Sequence, residues 1–380
     1  MEAADGKHFV IERKDFHRLF EVLRQRGYQI IGPTLQDGAI VYAEIQGETD
    51  LPIGVTDEQD GGTYRVKPRN DQALFGYAVG PVSLKKFLSP PSVKILGARR
   101  QSNTFEIQPS CPETRRYAFL GVRSCDLQAI RIQDKIFLQG RHVDPVYKAG
   151  REQALLIAVN CGQAASTCFC TSMNSGPRAV EGFDLALTEV VQQERHFFIG
   201  QTGTSLGEEI CGELVCRPAQ PQDLSAGEQV LRQTASQIKR TLNTQGIKEL
   251  LYRNYDHPYW EEAGERCLSC ANCTMVCPTC FCSTVEDVTD ITGEHAERWR
   301  LWDSCFSLDH SYIHGGHVRF SAKARYRQWM THKLASWQDQ FGTTGCVGCG
   351  RCIAWCPVGI DITQVARLIR ENQVAEKKAP

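Results

Sequence analysis

CLSCANCTMVCP, residues 267–278, and CVGCGRCIAWCP, residues 346–357, are one arrangement written twice. Cys267, Cys270, Cys273 and Cys277 stand at C-x2-C-x2-C-x3-C with Pro278 next, and Cys346, Cys349, Cys352 and Cys356 repeat the spacing with Pro357 next. This is the ferredoxin pattern for 4Fe–4S cubes, in which three close cysteines wrap one cube and the fourth ligates the other. The spacing therefore assigns Cys267, Cys270, Cys273 and Cys356 to one cluster and Cys346, Cys349, Cys352 and Cys277 to a second. Each run needs the other to complete its coordination. Structural zinc is satisfied by two C-x2-C pairs and leaves the third close cysteine unused. A disulfide scaffold belongs to small secreted chains, whereas this chain has 380 residues. Its first residues, MEAADGKHFVIERKDF, lack the basic start and apolar core of a signal peptide.

Composition bounds the class. The chain is 42% apolar and 23% charged, an ordinary balance for packed domains, and its length has room for two. A net charge of −1 supplies no field to gather nucleic acid or anionic lipid. No apolar stretch approaches the ~18 residues of a membrane span; ALLIAV, residues 154–159, is typical of the longest. Eighteen cysteines without a secretory signal imply a reducing compartment in which thiolates bind metal. The expected location is the cytoplasm.

Working outward from the cysteine runs, residues 1–220 read as an α/β domain and 221–380 as a mostly helical dicluster domain, an α+β chain overall. Phe16, Leu19, Phe20 and Leu23 have helical spacing that Gly27 ends. Asp37-Gly38 predicts a hairpin. Tyr117–Val122, Ala154–Val159 and Phe183–Leu187 have the length of buried strands. Pro218–Asp223 reads as a linker, followed by a helix over Leu224–Leu242. Helices are also expected over Ser311–Leu334 and over Ile362–Val374, the latter opened by Asp361 with Gln364 in a capping box.

A second thiol set lies in the first half. Cys125 follows the strand-like YAFLGVR, and Cys161 follows ALLIAVN. The tetrad TCFC, residues 167–170, adds Cys168 and Cys170. Ligands of open α/β sheets gather at the carboxyl ends of strands, so Cys125, Cys161, Cys168 and Cys170 are candidates for a third site. Four thiolates suit iron–sulfur or zinc. TCFC recurs at 279–282, where Cys280, Cys282 and the later Cys305 either pack around Cys277 or support an additional site. Cys111, Cys211 and Cys216 read as ordinary thiols. His310, His314 and His317 lack the glutamate of a zincin and read as solvated. Arg319, Lys323, Arg325, Arg327 and Lys333 read as a solvated helix face. Gly345, Gly348 and Gly350 let bare backbone approach sulfur. No glycine pattern for a dinucleotide and no P-loop occurs.

The ordered set GVRSCDLQAI (121–130), NCGQAASTCFCTSMNSGP (160–177), CLSCANCTMVCPTCFC (267–282), WDSCF (302–306) and CVGCGRCIAWCPVGIDIT (346–363) resembles two related families. One is the iron–sulfur beta subunit of cytosolic NAD(P)-linked nickel–iron hydrogenases, the sulfhydrogenases. The other is the related iron–sulfur subunit of anaerobic sulfite reductase. The resemblance spans about Lys85 to Thr363. It implies a non-catalytic electron-transfer subunit, working with a flavin subunit that handles NAD(P)H and a catalytic subunit carrying nickel–iron or sirohaem. A remoter likeness to the F420 hydrogenase beta-subunit domain, at Gly121–Cys125, implies as the alternative a flavin-binding domain with its own activity. Asn174 stands where the family resemblance implies glycine, and asparagine tolerates left-handed backbone.

Overall fold

The computed structural model describes residues 6–102, 104–110, 115–192 and 195–372. Its first seven strands are β1 (His8–Glu12), β2 (Gln29–Gln36), β3 (Ala39–Glu44), β4 (Val55–Asp60), β5 (Thr63–Pro68), β6 (Ser92–Gln101) and β7 (Thr104–Pro109). Then come β8 (Tyr117–Val122), β9 (Leu155–Val159), β10 (Leu185–Val191), β11 (His196–Thr202), β12 (Arg217–Pro218), β13 (Ser283–Thr289) and β14 (His295–Trp302). With the helices between them the chain is α+β.

An eight-stranded sheet runs in the order β12-β1-β11-β10-β9-β8-β2-β3. Its four middle strands, β10, β9, β8 and β2, are parallel. Parallel strands covered on both faces read as unbroken apolar runs, and every residue of β9 is buried. Side chains alternate across the sheet. Leu120 packs into the core that takes Leu19, Phe20 and Leu23 from the helix His17–Gln25. Its neighbour Phe119 packs with Leu127 and Ile130 of the helix Ser124–Phe137. The expected hairpin is β2–β3, where Gln36 pairs with Ala39 and both Asp37 (φ 49°) and Gly38 (φ 73°) are left-handed, as a two-residue type I′ turn requires.

A separate core gathers Trp260, Tyr326, Trp329, Met330, Leu334, Ile353, Val365 and Ile369 around the second half, and Phe169 enters it from the first half. Helices Ile247–Arg253, Tyr259–Arg266, Ala322–Thr331 and Ile362–Glu371 supply most of its wall.

Several boundaries differ from the sequence reading. Pro221–Asp223 is not linker but the first turn of the helix Pro221–Gln237. Proline is suited to that position because its fixed φ is already helical and its missing N–H is one the helix would leave unpaired. That helix ends at Gln237, short of Leu242. Ser311–Phe320 is not helical; the helix begins at Ala322, where the Ser321 hydroxyl accepts from Ala324 N at 3.1 Å. The last helix is capped by Asp361 alone, whose carboxylate accepts from Thr363 N at 2.8 Å, and Val374 lies outside the described residues, as does Cys111. One sheet is not evident in the sequence. β13 and β14 form a hairpin whose β14 pairs with β6, giving the order β13-β14-β6-β7. STVEDVT and HAERWRLW carry charges on both faces and so lack the alternation that marks a half-buried strand.

The two halves are joined by a fully buried ion pair. Arg351 Nη1 and Nη2 reach Asp126 Oδ1 and Oδ2 at 2.8 and 3.0 Å, and Arg351 Nε donates to Gly80 O at 2.8 Å. Neither side chain is more than 1% exposed. Removing one partner strands a buried charge, at a cost of about 3–5 kcal/mol. Asp126→Ala is therefore expected to lower the thermal midpoint of the anaerobically prepared protein strongly, while Asp126→Leu combined with Arg351→Met recovers most of the loss.

Candidate iron–sulfur centres

The two cysteine runs share their local geometry. Cys267 Sγ accepts from Ser269 N at 3.4 Å, and Cys346 Sγ accepts from Gly348 N at the same 3.4 Å. Ser269 (φ 52°) and Ala271 (φ 66°) are left-handed, and so are their counterparts Gly348 (φ 65°) and Gly350 (φ 76°). The left-handed residues turn each loop so that N–H groups point inward at sulfur, which favours the thiolate.

Cys267, Cys270 and Cys273 line one cavity together with Cys352 and Cys356 from the other run, and Phe306, Tyr326, Trp329 and Ile360 close it. About 420 Å³ there, open solvent included, is free of protein atoms. Ile360 N donates to Cys356 Sγ at 3.3 Å. In the second group Cys346, Cys349 and Cys352 interact with one another and with Cys277. The fourth cysteine of each run thus has thiols of the other run as neighbours, and Cys273 and Cys352 also interact across the two groups.

Buried thiols resist ionisation unless cations face them. Burial pushes Cys346 up to about 12, against the pull of Lys333. Cys277 goes the other way, held well below the usual thiol range by a hydrogen bond with Cys280 and by the Lys333 charge. Lys333 Nζ donates to Cys277 Sγ at 3.3 Å, to Thr279 Oγ1 at 3.0 Å and to Gly345 O at 3.0 Å. Burial alone would drive this ammonium down, but Cys277, Cys280 and Cys346 outweigh it and hold it well above its ordinary value. Lys333 is 4% exposed. It corrects the reading of the basic stretch as solvated: an ammonium inside that stretch is buried against a thiol.

The N-terminal four cysteines lie where the carboxyl ends of β8 and β9 meet. Cys125 is in the first turn of the helix that follows β8, and Cys161 lies two residues past β9. Arg123, 1% exposed, ties the strand ends together. It donates to Val159 O and Asn160 O at 3.3 Å each, and to Phe75 O and Tyr77 O at 2.9 Å each. Cys170 interacts with Cys161, Cys168 and Cys349, and Cys125 interacts with Cys349 and Cys170. Burial raises all four thiols, Cys168 to about 12, with Arg123 opposing it at Cys161 and Arg351 at Cys125. Asn174 is left-handed (φ 52°) at the end of this loop, so asparagine meets the requirement.

The TCFC loop and the second cysteine run touch directly. Phe169 N donates to Gly348 O at 2.8 Å, and Ser175 Oγ donates to Val347 O at 2.5 Å. A Cβ at Gly348 would stand 2.7 Å from the Phe169 carbonyl carbon, and one at Gly350 would stand 2.4 Å from Thr167 O. These glycines serve an approach between loops as well as an approach to sulfur.

The remaining thiols divide. Cys211 Sγ lies 3.9 Å from Cys216 Sγ near the surface. Cys282 hydrogen-bonds with Cys305 and His310, so His310 is not simply solvated. Among the described residues no three or more His, Cys, Asp or Glu side chains are arranged to hold a single metal ion. A cube instead takes four thiolates at four separate irons, and the thiol-lined cavity at Cys267 suits that class of group.

Such loops define an iron–sulfur electron-transfer protein, and residues 266–360 match the family described as 4Fe-4S dicluster domain. Sulfhydrogenase 2 subunit beta of Pyrococcus furiosus is 32% identical over 317 residues, covering 82% of this chain and 90% of that protein. The chain belongs to the sulfhydrogenase beta-subunit family. Its cofactors are 4Fe–4S clusters. No solved structure matches it. No helix among the described residues is long and apolar enough to cross a membrane.

Lys333 gives a direct electrostatic test. A unit charge a few ångströms from a reducible group contributes about 2–3 kcal/mol at an effective dielectric near 20, equivalent to roughly 100 mV for one electron. Lys333→Met is expected to shift one cluster midpoint downward by that order, read by EPR-monitored redox titration, with the iron content unchanged.

Proposed function

We propose that this chain relays single electrons between a flavin subunit that exchanges hydride with NAD(P)H and a nickel–iron hydrogenase subunit, in the cytoplasm. On this reading residues 221–380 hold two 4Fe–4S clusters, bound by Cys267, Cys270, Cys273 and Cys356 and by Cys346, Cys349, Cys352 and Cys277. Residues 1–220 hold a third, bound by Cys125, Cys161, Cys168 and Cys170. When bound, the clusters accept and release one electron at a time.

The observation that carries the reading is the contact between the Thr167–Cys170 loop and the Cys346–Cys352 loop. Cys349 is the shared neighbour of Cys125, Cys168 and Cys170, so the first-half thiols abut the dicluster rather than forming a remote structural staple. The polypeptide's part is to fix the separation, exclude water and balance charge. Arg123, Arg351 and Lys333 supply the cations. Trp329, Tyr326 and Phe306 close the cavity beside Cys267.

The test compares iron in the anaerobically purified protein with that in two variants. Cys161→Ser is expected to lose about four irons per chain, and Cys356→Ala to damage the cluster beside Cys267 while leaving the Cys346 signals intact, since each cube contains four irons. A native content near eight irons with bound zinc overturns the third cluster. Loss of the Cys346-side cluster in Cys356→Ala overturns the crossed ligand sets.

A further inference from the structure

Cys280, Cys282 and Cys305 are left over from the three thiol groups above, and the β13–β14 hairpin brings them together. Ser283 at the start of β13 pairs with Trp302 at the end of β14, and Asp303 N donates to Cys282 O at 2.9 Å. The mouth of the hairpin therefore sets Cys282 opposite Asp303, with Cys305 two residues further on. The Cys282 thiol interacts with the Cys305 thiol and with the His310 imidazole. Cys305 interacts in turn with Cys280. Three half-buried thiols and one imidazole share one neighbourhood.

Two features prepare this group for ligation. His310 Nδ1 bonds to Asp303 Oδ2 at 2.5 Å. A carboxylate on one ring nitrogen fixes the tautomer and presents Nε2, the arrangement regularly found behind a ligating histidine. The second feature is a buried cation that faces thiols. Lys85 is 6% exposed, donates to Thr274 O at 3.4 Å and lies 3.9 Å over the Trp302 ring. Burial acts on it most and lowers it, and Cys280, Cys277 and Cys282 pull the other way. A buried ammonium is costly unless anions face it, and Cys280, Cys277 and Cys282 are the thiols placed beside this one.

We propose that Cys280, Cys282, Cys305 and His310 hold a fourth 4Fe–4S cluster, beside the one that Cys277 completes. Three thiols and an imidazole are also a zinc donor set, but the setting favours iron–sulfur. Cys280 hydrogen-bonds with Cys277, a residue of the ferredoxin spacing, so the group abuts a cluster ligand. It also reuses the Thr-Cys-Phe-Cys tetrad of the first half, whose thiols neighbour Cys349 of the second run.

The proposal rests on the chain being a cluster protein, and the experiment separates the two by comparing variants with wild type. The anaerobically purified full chain and its Cys305→Ser and His310→Cys variants are assayed for iron, acid-labile sulfide and zinc, and titrated by EPR. Cys305→Ser is expected to carry about four irons and four sulfides fewer than wild type, with the other signals retained. His310→Cys is expected to keep its iron and move one midpoint downward, because imidazole in place of thiolate raises a cluster's potential. Unchanged iron in Cys305→Ser, or loss of one zinc instead of iron, overturns the fourth cluster. Should Cys305→Ser fail to fold, unchanged midpoints in His310→Cys overturn it instead. Iron-free wild-type protein would overturn the cluster reading of the whole chain, a different result from either.

Discussion

The approach of two backbone loops, Thr167–Cys170 and Cys346–Cys352, is the constraint around which this molecule is organised. Loops carrying side chains could not come so close. At Gly350 a single Cβ would meet Thr167 O at 2.4 Å, and at Gly348 it would meet the Phe169 backbone. The same two positions must also be left-handed, a region that costs an ordinary residue about 1–2 kcal/mol. The first cysteine run shows the requirement by contrast. Ser269 and Ala271 hold the equivalent left-handed positions with side chains. Geometry at sulfur thus tolerates a side chain, and it is the partner loop that demands glycine. Phe169, wholly buried in the core of the second half, anchors the approach from the other side.

Charge is the second constraint, and it follows from the first. Packing the loops together removes thiols from water, and burial alone would keep them protonated. A thiolate is the form that binds iron. The molecule answers with buried cations placed beside the thiols: Arg123 at Cys161, Arg351 at Cys125 and Cys349, Lys333 at Cys277 and Lys85 at Cys280. Arg351 is held by the Asp126 carboxylate. Arg123 instead directs Nη1 and Nη2 to four backbone carbonyls. These cations therefore serve the strand ends and loops as struts while offsetting the negative charge that ligation brings.

How much of this is legible in the sequence depends on how local each feature is. The ferredoxin spacing is local, and it identifies the two runs and their exchange of fourth cysteines. β9 is an unbroken apolar run with cysteine just beyond its end, so its strand and the placement of Cys161 can both be read. Asp37-Gly38 carries its turn in two residues. Other features depend on distant partners. Lys333 looks solvated because its neighbours in sequence are basic, yet the fold turns it inward onto Cys277. Charged residues in β13 and β14 hide a hairpin whose partner, β6, lies almost two hundred residues earlier. His310 reads as one of three surface histidines until that hairpin delivers Asp303 to its ring. The proline at 221 resembles a chain break because proline opens helices as readily as it interrupts them.

The two TCFC tetrads show how one short sequence can be put to parallel use. Thr167 and Thr279 are both fully buried, and each uses its hydroxyl to hold its loop. Thr167 Oγ1 donates to Gln59 Oε1 at 3.3 Å, and Thr279 Oγ1 donates to Gly345 O at 2.6 Å. Each phenylalanine is then directed into a core that its own half does not supply alone: Phe169 into the second-half cluster, Phe281 against Phe137 of the first half and Trp337 of the second. With threonine pinned and phenylalanine packed, the backbone has little freedom left, and Cys168 and Cys170 are set beside Cys349 and Cys280 beside Cys277. The tetrad is therefore a device for seating thiols at a junction between halves. Its recurrence puts one such device against Cys349 and another against Cys277, two cysteines of the second thiol group.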